Sequence, residues 1–265
     1  MRSNDIFGLL NGKDEVLFNL LYLINEDKTS FIKTDNLSYI IAKSPKVPSA
    51  WLFVNDSLSI ESETEIVNTV SDMLAENSGL IINGESARIS DVLRKISEKC
   101  NIPYSVKMPL NVYACYEKAD VYTKGQMIKP SQKYVDDVAR LLHQMVLDSE
   151  SIDIGEKTAT DWANARKNAD NLFLWKDEII VAMAMVAHET SKYARINTVV
   201  TDREHRGKGY AKMLICTLTS QLLDKGKIPM LYADANNPSS NAVYRKAGYV
   251  YQGEITEFQF GEQNA

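Results

Sequence analysis

The amino-acid sequence predicts an α/β protein of the α+β type, arranged as two units that both contain helices and strands. Amphipathic stretches with apolar residues three or four positions apart alternate along the chain with short runs of β-branched and aromatic residues. This alternation is interrupted by a polar stretch, residues 117–124, and then starts again. With 265 residues the chain is long enough for two ordinary domains, which we expect at 1–118 and 121–265.

The first unit is predicted to alternate helices and strands. We expect helices at 14–26, 62–76 and 87–99, and strands at 37–42, 49–54, 79–83 and 109–116. Acidic residues in the first turn favour the helix at 14–26, and Ser62 with Glu65 predicts a capping box at the start of the next helix. We find no motif of known chemistry in this unit.

The second unit continues the alternation. Its predicted strands are 126–129, 172–175, 178–188, 193–201, 230–233 and 250–260, and its predicted helices are 133–147, 158–167, 210–223 and 239–246. The helix at 133–147 places five apolar residues on one face, namely Val135, Val138, Leu141, Leu142 and Met145. Gly226 is expected to end the helix at 210–223.

Composition excludes several classes of function. The net charge of −5 argues against a general nucleic-acid binder, which needs a basic surface to meet phosphate. The longest apolar stretches, such as 179–187, are far shorter than the roughly 20 residues of a membrane helix. Asp5, Asp14 and Glu15 precede an apolar run that Asn19 interrupts, unlike the basic residues and unbroken apolar core of a secretory signal, so we expect a cytoplasmic protein. The three cysteines and three histidines lack the spacing of a disulfide framework or a metal site, and no metal is expected.

The most informative segment is a basic glycine turn between a predicted strand and a predicted helix, Arg206-Gly207-Lys208-Gly209-Tyr210-Ala211. Backbone N–H groups at a helix N-terminus lack partners within the helix, and the helix dipole favours negative charge there. Glycines let the backbone approach a phosphate without an intervening Cβ, and Arg206 and Lys208 add positive charge. The segment therefore predicts a pyrophosphate site.

Two common nucleotide motifs do not fit this turn. The dinucleotide fingerprint G-x-G-x-x-G requires a glycine where Lys212 stands, and no G-x-x-x-x-G-K-[ST] run occurs in the chain. The alternative that remains open is a basic turn that only caps a helix.

Two stretches of the second unit resemble the GNAT superfamily of acetyl-CoA-dependent N-acetyltransferases. Arg206-x-x-Gly209-x-Ala211 resembles its R/Q-x-x-G-x-G/A signature for acetyl-CoA. The segment 232–249, which contains Asn237 and Tyr244 and ends in Gly-Tyr, is similar to its second conserved stretch. The likeness is specific over 193–250, weaker over 126–192 and absent before 120. It implies a mixed, strongly twisted sheet flanked by helices, with a gap in the sheet for the cofactor arm.

The resemblance also implies roles for individual residues and acetyl-CoA as the cofactor. The backbone of Val199, Val200 and Thr201 would bind the pantetheine arm and polarise the acetyl carbonyl. The N–H groups of Gly207, Lys208, Gly209, Tyr210 and Ala211 would hold the pyrophosphate, with Arg206 beside them. Asn237 would contact the pantetheine or the neighbouring backbone, and Tyr244 would meet the departing thiolate as the catalytic residue. The alternative for Tyr244 is an aromatic ring that only packs on the sheet.

The expected chemistry is direct attack of an amine on a thioester, with a small molecule or a peptide as the acceptor. An alkyl amine must first lose a proton, so a base or a chain of water is needed. The chain offers Asp148, Glu150, His188 and Asp234 as candidate bases without distinguishing them. The sequence departs from many relatives in two places, because Asp202-Arg203 stands where they have proline and the strand 193–201 contains no Glu.

Three alternatives stay open at the level of sequence. A non-catalytic sensor of acyl-CoA would keep the glycine turn but have no use for Tyr244. An acyltransferase with another acyl donor would share the whole motif. The first unit is either a degenerate second copy of the same fold or an unrelated α/β domain that helps to form the acceptor site.

Overall fold

The computed structural model describes residues 8–120, 122 and 124–261, and it has the mixed α/β fold that the sequence predicts. The helices are Lys13–Leu17 (α1), Leu20–Glu26 (α2), Ile60–Glu76 (α3), Ser86–Cys100 (α4), Val135–Glu150 (α5), Gly155–Arg166 (α6), Tyr210–Asp224 (α7) and Pro238–Lys246 (α8). The strands are Phe31–Thr34 (β1), Tyr39–Lys43 (β2), Ser49–Val54 (β3), Ile81–Gly84 (β4), Tyr104–Ala114 (β5), Gln126–Ile128 (β6), Leu172–Lys176 (β7), Ile180–Glu189 (β8), Tyr193–Thr201 (β9), Ile228–Asp234 (β10) and Val250–Phe260 (β11). None of the helices among these residues is long and apolar enough to cross a membrane.

The chain divides into two compact units. Unit 1 comprises the chain up to Val112 together with Tyr232–Pro238 and the segment from Tyr251 onward, and unit 2 comprises Tyr113–Leu231 and Ser239–Val250. The predicted domains 1–118 and 121–265 remain a prediction. Unlike them, unit 1 also takes in most of the last strand, β11.

Unit 1 is a mixed sheet with helices packed on it. Strands β1, β2 and β3 are antiparallel neighbours, β3 is parallel to β4, and β11 runs antiparallel to β4. Buried side chains of α3 and α4, such as Ile66 and Leu93, pack with buried side chains of β2, β3 and β4, such as Ile41, Leu52 and Ile82. The apolar face of each helix is thereby removed from water, which stabilises the unit.

Unit 2 has the same kind of core. Strands β6, β7, β8 and β9 are antiparallel neighbours, and β9 is parallel to β10. The predicted apolar face of α5 is confirmed: its four valine and leucine side chains are buried, and Met145 packs partly buried against them.

The chain repeats one order of elements. The first series is α1-α2-β1-β2-β3-α3-β4-α4-β5, and the second series, α5-α6-β7-β8-β9-α7-β10-α8-β11, follows the same order of helices and strands. The pairing also repeats, because each series has three antiparallel strands followed by a helix and a parallel strand.

The predicted helix at 14–26 is wrong as a single helix, because α1 and α2 are separated by Phe18 and Asn19. A continuous helix would have the Leu21 N–H donate to the Leu17 carbonyl. That carbonyl instead accepts the Tyr232 hydroxyl at 2.9 Å, and the Leu21 N–H donates to Phe18. The break therefore depends on a contact with a distant residue of unit 1.

The capping box predicted at Ser62 and Glu65 is also wrong. The helix α3 begins at Ile60, and the Ser59 side chain caps it by accepting the Ser62 N–H at 3.0 Å. The Ser62 hydroxyl donates to Asp35 at 2.8 Å instead. The sequence prediction missed β1, a short strand whose four residues include the polar pair Lys33 and Thr34.

Candidate functional site

The glycine turn lies where the sequence predicts it, between a 3₁₀ turn at Arg203–His205 and the start of α7. Gly207 and Gly209 have φ angles of +76° and +85°, which side chains with a Cβ rarely adopt. A Cβ added to Gly207 would meet nothing within 4 Å, and one added to Gly209 would meet only Met213 Cε at 3.6 Å. The two glycines are therefore required by the backbone conformation, and the space beside the turn is open.

The first turn of α7 presents backbone donors that no side chain caps. The first hydrogen bond of the helix runs from the Met213 N–H to the Gly209 carbonyl at 3.0 Å. The N–H groups of Tyr210, Ala211 and Lys212 precede this bond and have no acceptor within the helix. Gly209 occupies the N-cap without a side chain, and no acidic residue lies in the first turn. This helix end can accept an anion.

The two cations of the turn are in different states. Lys208 is exposed and has no hydrogen-bond or ion-pair partner among the described residues. The Arg206 guanidinium forms an ion pair with Asp148, and its Nε donates to the Thr201 carbonyl at 3.3 Å. Lys208 is thus available to an anion, whereas Arg206 is already paired with a carboxylate that it shares with Arg203.

Tyr210 anchors the start of α7 through its side chain. The ring is buried, and the hydroxyl donates to Asp177 at 2.5 Å, which raises the pKa of Tyr210. Asp177 also forms an ion pair with Lys124 at 2.9 Å. The Tyr210 ring is therefore a structural anchor, and only its backbone N–H is a candidate donor to an anion.

Strand β9 has an irregular edge near Val199. Its described ladder with β10 covers only Tyr193–Arg195 against Ile228–Met230. On the other side, Val200 pairs with Met183 and Asn197 pairs with Met185. Two residues, Thr198 and Val199, therefore lie opposite one residue of β8, which is a β-bulge. Thr198 has a φ angle of +54°, so the bulge redirects the backbone at Val199.

The predicted backbone ligands of β9 are not equivalent. The Val200 side chain is buried in the core of unit 2. The Thr201 carbonyl accepts the Gln144 side chain at 2.9 Å as well as Arg206. Val199 lies in the bulge, outside the described residue pairs with β8. Of the three, Val199 has the backbone that is best placed to serve a ligand.

Tyr244 lies on α8 and is almost fully buried, with 7% of its surface exposed. Its ring centroid lies 6.2 Å from that of Tyr113 and 6.2 Å from that of Tyr249. Its hydroxyl makes no hydrogen bond within the described part of the chain, and burial raises its pKa to about 12. The hydroxyl is therefore a protonated donor that remains available.

Asn237 follows β10 and belongs to unit 1, whereas the turn, Val199 and Tyr244 belong to unit 2. Its backbone N–H donates to the Asp234 carbonyl at 3.1 Å, which closes the turn before α8.

The candidate bases differ in how strongly they are engaged. Hydrogen bonds from Arg203 and then Arg206 hold the pKa of Asp148 below its ordinary value, which makes it a weak base. His188 Nδ1 accepts from Arg195 Nε at 3.1 Å. The Asp234 carboxylate accepts the Asn236 N–H at 2.8 Å. The side chain of Glu150 lies outside what the structure describes.

A cleft of about 500 Å³ lies beside the turn and was not anticipated from the sequence. It is lined by residues of α5, including Arg140, His143 and Gln144, and by the residues that precede the glycine turn. The sequence gives one signal that α5 approaches the segment before the glycine turn: its polar residues Arg140, Gln144 and Asp148 are spaced four apart. No group of side chains suited to a metal ion occurs in the described ranges.

Comparison with known proteins identifies the family of this region. The sequence model of the Acetyltransferase (GNAT) family matches residues 139–249. A GCN5-related N-acetyltransferase from Kribbella flavida has a TM-score of 0.64 at 11% identity, over 94% of this chain and 95% of that chain. One from Sphaerobacter thermophilus has a TM-score of 0.63 at 13% identity, over 96% and 91%. A GNAT-family acetyltransferase from Colwellia psychrerythraea has a TM-score of 0.56 at 14% identity, over 88% and 84%.

At these identities the structural likeness shows a shared fold. No curated protein sequence matches the chain. The range that matches the family model runs from α5 through α8 and contains both the glycine turn and Tyr244. Residues 139–249 therefore match the sequence model of the GNAT acetyltransferase family, and the chain shares the fold of the GNAT structures.

Proposed function

We propose that this protein is an N-acetyltransferase that transfers the acetyl group of acetyl-CoA to an amine. The observation that carries the proposal is the start of α7, where two glycines with positive φ precede an uncapped helix end. This end combines free backbone donors with the unpaired cation Lys208, so it suits a diphosphate. It lies inside the domain that matches the acetyltransferase family.

The residues of the turn would hold the diphosphate of the donor. The N–H groups from Gly207 to Ala211 supply hydrogen bonds, and Lys208 supplies charge. Arg206 would contribute less than Lys208, because Arg206 is already paired with Asp148. Acetyl-CoA supplies the thioester that the amine attacks.

The bulge in β9 and Tyr244 would serve the reacting atoms. The Val199 N–H is the proposed donor to the acetyl oxygen as negative charge develops on it. The Tyr244 hydroxyl is the proposed hydrogen-bond donor to the departing sulfur. With a pKa of about 12, it donates a hydrogen bond and keeps its proton.

The acceptor is proposed to be a small-molecule or peptide amine in the cytoplasm. The net charge of −5 disfavours nucleic acid as a partner. Asp148 is not proposed as the base, since two arginines engage it. We propose that the amine loses its proton to water before attack, which predicts turnover that rises with pH toward the pKa of the acceptor.

The first series of elements, α1 to β5, is proposed to be a second copy of the fold that does not bind the cofactor. The repeated order and pairing of its elements support the duplication. The segment before α3, which corresponds to the glycine turn before α7, contains no glycine.

The test combines ligand binding and turnover. Saturating CoA should raise the thermal midpoint, because a ligand that binds only the folded chain stabilises it, while NAD and ATP should not. Mass spectrometry of a panel of amines incubated with acetyl-CoA should then identify an acetylated product. A thermal midpoint that responds to NAD or ATP but not to CoA would refute the proposal. CoA binding with no product from any amine would favour a sensor of acyl-CoA.

A further inference from the structure

A polar face of α5 contacts the segment that leads into the glycine turn. Arg140, Gln144 and Asp148 are spaced four residues apart, so they share one face of the helix. All three reach the segment 201–206, which connects β9 to the turn. The apolar residues of the same helix pack in the core of unit 2. The helix therefore connects the core to the candidate anion site.

Gln144 is the central residue of this face. Its side chain is buried, with 9% of the residue exposed, and both ends of its amide are used. Nε2 donates to the Thr201 carbonyl at 2.9 Å, and Oε1 accepts the Arg203 N–H at 3.0 Å. These bonds hold the backbone on both sides of Asp202.

Arg140 and the following turn hold the side chain of Asp202. Its side chain forms an ion pair with Arg140, and Arg140 also donates to the Ile180 carbonyl at 3.0 Å. The other oxygen of Asp202 accepts the Glu204 N–H at 3.1 Å and lies 2.7 Å from His205 Nδ1. Asp202 therefore stabilises the 3₁₀ turn that precedes Arg206. Asp202, which stands where many relatives have proline, thus has a structural role of its own.

Asp148 completes the set at the end of the segment. Its carboxylate accepts from Arg203 Nε at 3.1 Å and forms an ion pair with Arg206. Three side chains of one helix thus hold four residues of the segment, Thr201, Asp202, Arg203 and Arg206. Thr201 and Arg203 are held through their backbone, and Asp202 and Arg206 through their side chains. A loop that is ordered before its ligand arrives loses less entropy when the ligand binds.

We propose that Gln144 is a positioning residue of the anion site: by fixing the segment 201–206 from α5, it directs the glycine turn toward the diphosphate of acetyl-CoA. This inference rests on the proposed function. It assigns Gln144 no contact with the ligand and no part in the chemical step. Its effect is therefore specific for donors that carry a diphosphate.

The test compares acetyl-CoA with acetyl-pantetheine, which lacks the diphosphate, in the variant Gln144→Met. The substitution keeps an unbranched side chain of similar length and removes both hydrogen bonds. We expect KM for acetyl-CoA and Kd for CoA to rise about tenfold or more, the scale of two lost hydrogen bonds. kcat at saturating acetyl-CoA and kcat/KM with acetyl-pantetheine should stay at the wild-type values. Gln144→Glu keeps an acceptor for the Arg203 N–H, so its KM for acetyl-CoA should lie between those of the wild type and Gln144→Met.

The matched control is Gln132→Met. Gln132 also engages its side chain, accepting Lys167 at 2.9 Å, but it does not reach the segment 201–206. This variant should use both donors as the wild type does.

The outcomes separate the inference from the function on which it rests. An unchanged KM for acetyl-CoA in Gln144→Met overturns the positioning role. Equal losses with both donors, together with a lower thermal midpoint, also overturn it, because they indicate a general packing defect. A wild-type chain that binds no CoA overturns the proposed function itself.

Discussion

Replacement of Tyr244 by Phe tests whether this buried tyrosine acts in the reaction or only packs. The substitution removes one hydroxyl and keeps the ring between Tyr113 and Tyr249. The hydroxyl has no hydrogen-bond partner within the described ranges, so its loss leaves no other group unsatisfied. We therefore expect the thermal midpoint of Tyr244→Phe to stay at the wild-type value or rise slightly.

The raised pKa of Tyr244 decides between proton transfer and hydrogen bonding as its proposed role. A hydroxyl with a pKa of about 12 would transfer its proton to a thiolate, whose conjugate acid has a pKa of about 8.5, at a cost of about 5 kcal/mol. In the proposed reaction Tyr244 would therefore act by donating a hydrogen bond. Loss of one oriented donor of this kind typically costs about 2.7–4 kcal/mol, or a factor of about 10²–10³ in kcat.

The matched control is Tyr249→Phe, which should give the opposite result. The Tyr249 hydroxyl is buried and lies 2.7 Å from the hydroxyl of Thr219. Removing it loses a buried hydrogen bond, worth about 1 kcal/mol, and lowers the thermal midpoint without lowering kcat. The assay is acetylation of the amine that the panel identifies, at saturating acetyl-CoA, beside thermal unfolding. An unchanged kcat in Tyr244→Phe would refute its catalytic assignment, and a loss of folding would support the packing role.

The remaining predictions concern the anion site. Gly209→Ala and Gly226→Ala should impose a similar backbone strain of about 1–2 kcal/mol at opposite ends of α7, because the two φ angles are +85° and +72°. Calorimetry should show weaker CoA binding only for Gly209→Ala. Equal CoA affinities of the two variants would mean that the turn only caps the helix. Titration should give one bound CoA molecule per chain. Two bound CoA molecules per chain would require a second site in unit 1. The pKa of Asp148 is lowered, so its ion pairs stabilise the fold above the ordinary carboxyl range and are lost as the pH falls through the folded-state pKa. The difference in unfolding free energy between wild type and Asp148→Asn should therefore shrink in urea titrations below about pH 4, and a constant difference would contradict it.

Local patterns in the sequence were sufficient for most elements. The strands β9 and β11 have the predicted bounds, 193–201 and 250–260, because their β-branched and aromatic residues end at clear turns. The break between α1 and α2 could not be predicted, since it depends on the hydroxyl of Tyr232. The start of α3 was misplaced because several serines compete as caps, and only the fold places Ser62 beside Asp35.

The candidate site also has features that the sequence could predict and features that it could not. The glycine turn is contiguous in sequence, so its conformation and its position before α7 were predictable. The partners of its arginine were not. Asp148 and Gln144 lie on a helix about 60 residues earlier, and sequence spacing alone does not show that α5 faces the segment 201–206. For this reason Asp148 was a candidate base in the sequence and proves to be engaged by two arginines in the structure.

The two corresponding helices of the repeated order show how one fold supports different chemistry at one position. Both α3 and α7 follow three antiparallel strands and precede a parallel strand. The N-terminus of α3 is capped from within: Ser59 accepts a backbone N–H, and the first turn contains Glu61 and Glu63, of which Glu63 is paired with Lys95. Glu61 complements the helix dipole and would repel a phosphate. The end of α7 has a glycine cap and no acid, so its donors and its dipole remain available to an anion. The choice of residues at the cap, rather than the fold, therefore decides which unit can hold a diphosphate.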